Sequence, residues 1–131
     1  MATYDDARRF ALALPEVEEG TTYGNVALKV KGKLFAWQRP LRKRDREELG
    51  DAAPDGDVFA VRVEHEVAKR AVLESEPAAF TTAHFEGHPS VLLELGRIGA
   101  EELEELVVDA WLCAAPQKLA DAFVSERSPR S

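Results

Sequence analysis

Between Lys29 and Arg46 the chain places eight basic residues, Lys29, Lys31, Lys33, Arg39, Arg42, Lys43, Arg44 and Arg46, against a single acid, Asp45. Cations at this density suit a polyanion, because each phosphate they neutralise releases a condensed counterion from nucleic acid. Four to six such contacts to duplex DNA give a slope of log affinity against log salt of about −4 to −5. Three rings, Tyr23, Phe35 and Trp37, are interleaved with or adjacent to these cations and offer a surface on which unpaired bases or a flat ligand could stack. The plainer account of the same residues is a solvated hairpin and a surface helix, with Asp45, Glu47 and Glu48 neutralising their neighbours and the rings packed inward.

Other chemistry-bearing residues form weaker patterns. His84-Phe85-Glu86-Gly87-His88 holds two imidazoles and a carboxylate within five residues, but a metal site needs a third strong ligand, and Gly87 and Pro89 mark a loop. Gly20-Thr-Thr-Tyr-Gly24 lacks the Lys-Ser/Thr ending of a phosphate-cradling loop and reads as two bends. Cys113 lies in an apolar helical stretch without an adjacent base, which points to a buried small side chain instead of a nucleophile. No serine sits in a nucleophile-elbow pattern. The expectation is a protein without catalytic residues, metal or cofactor.

With 131 residues, 45% hydrophobic and 31% charged, the chain suits one domain over about residues 1–126 with a loose tail at 127–131. A core can form without staples at this length, and the single cysteine excludes an internal disulfide. No apolar run reaches the roughly 18 to 20 residues of a membrane span, and the first residues resemble no signal segment, so the expected location is cytoplasmic. The net charge is −7, yet Lys29–Arg46 carries +7 and the remainder −14. Nucleic acid can then be tolerated only if the two are segregated beyond a Debye length of about 8 Å.

The elements that must position these residues follow from periodicity. Thr3 with Asp5 and Asp6 caps a helix over about 4–14, with Ala7, Phe10, Ala11 and Leu14 on one side, and Pro15 ends it. Residues 16–23 read as a strand, and Val26–Val30 and Leu34–Gln38 as a hairpin about Lys31-Gly32-Lys33. A three-residue connection puts Leu28, Val30, Leu34 and Ala36 in the core and Lys29, Phe35 and Trp37 on the other face. Lys43–Leu49 forms a short helix closed by Gly50, and Asp57–Val63 a strand with Phe59, Val61 and Val63 opposite Val58, Ala60 and Arg62. A helix over 64–75, a strand over 90–95 and a helix opening at Gly99 follow. The stripe Leu103, Leu106, Val107, Ala110, Trp111 and Ala114 faces away from Glu101, Glu104, Glu105 and Asp109. Pro116 starts a last helix with Leu119, Ala122 and Phe123 inward. Hairpins with helices before and after them give an α+β domain with a mostly antiparallel sheet and N-terminal, middle and two C-terminal helices.

An ordered set of short motifs, Ala13-Leu-Pro-Glu-Val-Glu-Glu-Gly20, Tyr23-Gly24, Leu28-Lys-Val-Lys-Gly-Lys-Leu-Phe-Ala-Trp37, Phe59-Ala-Val-Arg-Val63, His88 with Val91, and Glu105-Leu-Val107 leading to Ala110-Trp111 and Ala115-Pro116, resembles the MmcQ/YjbR family over about residues 3–124. That resemblance implies an α+β fold similar to secretion-chaperone-like or CyaY-like domains and a DNA-binding-type label, with no catalytic set to carry over. Phe85-Glu86-Gly87-His88-Pro89 departs from the family pattern by Glu86 and by Pro89 in place of Trp. Two functions follow as expectations. One is a non-enzymatic DNA-binding-type domain of low specificity that contacts phosphates through the basic hairpin and arm. The alternative is a protein-interaction or small-ligand module on the face of Tyr23, Phe35 and Trp37, as a monomer or a homodimer.

Overall fold

A computed structural model describes residues 2–22 and 24–127. Helix α1 (Tyr4–Leu12) leads into β1 (Val17–Thr22), β2 (Asn25–Val30) and β3 (Lys33–Gln38). Helix α2 (Lys43–Leu49) and a 3-10 turn (Gly50–Ala52) precede β4 (Val58–Arg62), α3 (Glu66–Ser75) and β5 (Ala79–Phe80). A second 3-10 turn (Ala83–Phe85), β6 (Ser90–Glu94), α4 (Ala100–Ala114) and α5 (Gln117–Arg127) complete the order. The six strands form one sheet in the order β1-β2-β3-β4-β6-β5, every neighbouring pair antiparallel. This is the α+β class read from the sequence. No helix among the described residues is long and apolar enough to cross a membrane.

The main core lies between one sheet face and the helices. Phe59, Val61, Val91 and Leu93 meet Leu103, Val107, Ala110 and Trp111 of α4 and Ala7 and Ala11 of α1. On the opposite face Val58, Ala60, Leu92 and Phe85 form a smaller cluster with Trp37, Leu41 and Phe80. Strand β6 is therefore covered on both sides, which accounts for its nearly unbroken apolar run. Thr3 starts α1 as predicted: its Oγ1 accepts from the Asp6 amide at 3.2 Å and the Asp6 carboxylate accepts from the Thr3 amide at 3.0 Å. Trp111 is fully buried, its Nε1 donating to the Pro15 carbonyl at 3.1 Å, so the end of α1 is tied to α4.

Three expectations change. The hairpin connection is two residues, Lys31 and Gly32, at φ 49° and 82°, the paired positive values that match the twist of antiparallel strands. Leu28 then pairs with Ala36 but Lys29 with Leu34, leaving Phe35 as an extra residue in β3. A bulge interrupts the two-residue alternation, so Phe35 joins Ala36 in the core, fully buried, and Leu34 turns to the other face with Trp37. Second, β5 was not predicted, because two residues carry no periodicity. Third, in α5 Leu119, Ala120 and Phe123 pack inward while Ala122 is exposed, since the helix is anchored by Phe123 against Trp111 at 4.8 Å between ring centroids.

The bulge sets a contrast that chemical denaturation can read. Phe35→Ala removes a buried ring and is expected to cost about 3–5 kcal/mol, whereas Leu34→Ala, half-buried one residue earlier, costs about 1 kcal/mol. Equal losses, or a larger one at Leu34, would contradict this register.

Candidate functional site

The structure divides the basic segment. Strand β3 separates the hairpin lysines from the cations of α2, by about 20 Å for six extended residues. Arg39 is buried beside Asp45, to which its guanidinium donates at 3.1 Å. It also donates to the Pro40 carbonyl and lies over the Phe85 ring, 5.3 Å from the centroid. Asp45 accepts a second bond from the Arg42 amide at 2.9 Å, closing the first turn of α2. Arg39 is thus a strut between β3, α2 and the 83–85 turn instead of a phosphate contact. Lys31 pairs with Glu16 at 3.1 Å, Arg46 donates to the Pro54 carbonyl at 3.3 Å, and Lys29 stands opposite Glu18 in the β1–β2 register. Lys33, Arg42, Lys43 and Arg44 are exposed. The hairpin lysines and the five arm cations thus stand at opposite ends of β3, and within the arm Arg39 is withdrawn from the surface.

What the fold does assemble is a pocket of about 420 Å³ on the sheet face away from the helices, lined by Lys33, Leu34 and Trp37 of β3, Arg62 of β4, and His88, Pro89 and Ser90. No carboxylate lines it, and neither Lys33 nor Arg62 forms an ion pair with a described residue. Trp37 is half-buried: it packs against Phe85 at 6.4 Å and meets the edge of His88 at 6.5 Å. The His88 Nδ1 and the buried Ser90 hydroxyl are 2.9 Å apart. Behind this loop the buried Lys69 ammonium donates to the carbonyls of Phe85 at 2.6 Å and His88 at 2.8 Å. Desolvation, then the positive charges of Lys69, His84 and Arg62, hold the His88 imidazole below its ordinary value, so it is neutral near pH 7. These groups can hold a flat apolar body against Trp37 while Lys33 and Arg62 meet its negative charge.

Of the three rings singled out from sequence, Trp37 lines this pocket. Phe35 is in the core, and Tyr23 lies outside the described residues. Arg62, His88, Ser90 and the positioning residue Lys69 were missed as a site. The available signal was Lys69 itself, a charged residue among Ala68, Val72 and Leu73 on the inward side of α3. His65 caps α3, its Nδ1 accepting from the Ala68 amide at 3.1 Å. Among the described residues no group of three His, Cys, Asp or Glu is placed to hold a metal.

The sequence model of the family described as YjbR matches residues 12–113. The chain belongs to the YjbR family. It is 45% identical over 129 residues, 95% of this chain and 98% of the other, to the uncharacterized protein Rv2570 of Mycobacterium tuberculosis, and equally to Mb2600 of Mycobacterium bovis. Its fold is similar to the crystal structure of Deinococcus radiodurans protein DR2400, domain DUF419, with TM-score 0.61, 22% identity and coverage of 86% of this chain and 78% of that one. A Pseudomonas syringae protein gives TM-score 0.64 at 15% identity, over 86% and 98%.

In this YjbR domain Cys113 is half-buried instead of enclosed: it lines a groove between α3 and α4. Desolvation and the nearby Glu64 push its thiol up, Asp109 acting in the same direction and Arg62 against it, so the thiolate needed for attack is scarce at neutral pH.

Two measurements check these assignments. Asp45→Ala strands a buried guanidinium and is expected to cost about 3–5 kcal/mol, most of it recovered in the double variant Arg39→Met/Asp45→Leu; the denaturant midpoints of both decide. For His88, the depressed folded value means that the unfolded chain takes up the proton first as pH falls through about 6.5. Stability is then complete above that pH and declines below it until the folded value is passed. His88→Gln should flatten the fall in melting temperature between about pH 7 and 5, and an unchanged slope would remove His88 as its source.

Proposed function

We propose that this YjbR domain is a non-enzymatic binding module that holds a small, flat, negatively charged ligand in the Trp37 pocket, a nucleoside monophosphate being the chemical type that fits. The observation that carries this reading is a pair of cations, Lys33 and Arg62, with no ion-pair partner among the described residues, beside a partly open indole in a pocket that no described carboxylate lines. Stacking on Trp37 supplies sequence-tolerant affinity for a ring, and the cations supply a salt-sensitive attraction for phosphate. Grip of a duplex through the whole Lys29–Arg46 segment is less well supported, because Arg39 is consumed by Asp45 and Lys31 faces Glu16. Lys43 and Arg44 on α2 remain open to a longer strand.

The chain has two tryptophans, and Trp111 is buried and bonded to Pro15, so ligand-dependent emission reports on Trp37. A ceiling of about 0.3 kcal/mol for each of about 23 non-hydrogen atoms gives at most roughly 7 kcal/mol, so the dissociation constant is expected at about 10 μM or weaker. Adenosine monophosphate is expected to quench Trp37, adenosine at least tenfold more weakly. Lys33→Glu should abolish the effect, and Trp37→Phe should remove the signal while Trp111 still emits. Tight binding of a thymidine decamer with no response to the mononucleotide would return the function to single-stranded nucleic acid. Absence of both responses at low salt would overturn the reading.

A further inference from the structure

On the helical side of the sheet, α3 rests on β5 and β6 while α4 rests on β3 and β4, and a groove of about 520 Å³ remains between the two helices. Its floor is apolar and half-buried, Ala68 and Val72, one turn apart on α3, facing Leu106 and Leu112 of α4, while Arg62, Glu64 and Asp109 add charge at its edges. The groove continues past Asp109 into a second cleft of about 450 Å³ along α4, which Asp109 shares with Glu101, Glu104, Glu105 and Val108. Glu101, Glu105 and Asp109 recur about once per turn over about 12 Å of helix, with Glu104 beside Glu105. None of them forms an ion pair with a described residue.

We infer that the α3–α4 groove is a docking site for a basic amphipathic helix of a partner protein. The partner is a helix because two of the groove walls are helices with satisfied backbones, and at the third, the end of β4, the Val63 amide is already bonded to the Pro89 carbonyl. They offer side chains but no row of free amides or carbonyls, so an occupant must satisfy its own main chain. Apolar side chains at i, i+3 or i+4 and i+7 fill the space between Val72 and Leu106. Lysines or arginines on the adjoining flank then run beside Glu101, Glu105 and Asp109 with the same repeat, as charged flanks do along a coiled-coil seam. The acids set the sign of the occupant, since a nucleic acid or an anionic lipid surface would be repelled along the whole ridge. Partial desolvation already raises the Asp109 carboxyl from its ordinary value, and a cation brought against it relieves that penalty. The groove lies across the sheet from the Trp37 pocket, with only Arg62 bordering both.

Cys113, the only cysteine, lines the groove and reports its occupancy. The full chain is titrated by calorimetry with an 18-residue leucine–lysine peptide patterned as an amphipathic helix. A scrambled peptide of the same composition and a leucine–glutamate version serve as controls, and alkylation of Cys113 is followed under mildly alkaline conditions. The patterned basic peptide is expected to bind at least tenfold more tightly than either control and to slow alkylation at least fivefold. Glu104→Lys/Glu105→Lys should weaken it at least tenfold, while Lys33→Glu leaves it unchanged. Equal binding of the scrambled peptide, unaltered alkylation, or indifference to the double charge reversal would each overturn the inference.

Discussion

The extra residue at Phe35 governs more of this structure than any single contact. Strand β3 lies near the middle of the sheet, and both its faces are used. Placing Phe35 and Ala36 consecutively inward lets one large ring enter the core against α4 and returns Trp37 and Leu34 to the outer face. Without the bulge Phe35 and Trp37 would share a side, and either the core would lose a ring or the outer face would carry two. The local kink that costs one ladder position thus divides the aromatic residues between the core and the outer face.

Around that strand, charge is used in two ways. Arg39 and Asp45 are drawn out of water and paired, which orients the entry to α2 at the cost of removing a cation from the surface. Lys69 is also buried, but it is held by two carbonyls and no carboxylate, so its positive charge remains uncompensated near the pocket and contributes to keeping His88 neutral. One buried cation therefore serves rigidity, and the other both fixes the loop at 85–88 and biases the site toward anions.

The overall charge of −7 conceals this layout. Acids concentrate on the exposed flank of α4, while Lys33 stands on the far side of the sheet and Arg62 borders both the Trp37 pocket and the groove. Two surfaces of opposite character are kept apart by a layer of strands, and each presents the sign complementary to a different class of ligand. Screening over about 8 Å at physiological salt keeps them largely independent.

Much of this was legible in the residues. The capping pair Thr3 and Asp6, the stripe on α4, the alternation in β4, the apolar run of β6 and the α+β order all rest on local periodicity and turn chemistry, which act over a few residues and survive in any compact arrangement. Trp37 and Lys33 were legible as chemistry for the same reason. The fate of Phe35 was not, because a bulge depends on the partner strand's pairing and not on the strand's own pattern. Nor could the sequence bring Arg62, Lys69, His88 and Ser90 beside Trp37, since they come from four separate segments joined only by the β3-β4-β6 order and the loop before β6. Composition and spacing determined which side chains were present and which elements carried them; tertiary packing decided which cations were spent on holding the fold and which remained free, because burial and pairing are properties of neighbours in space.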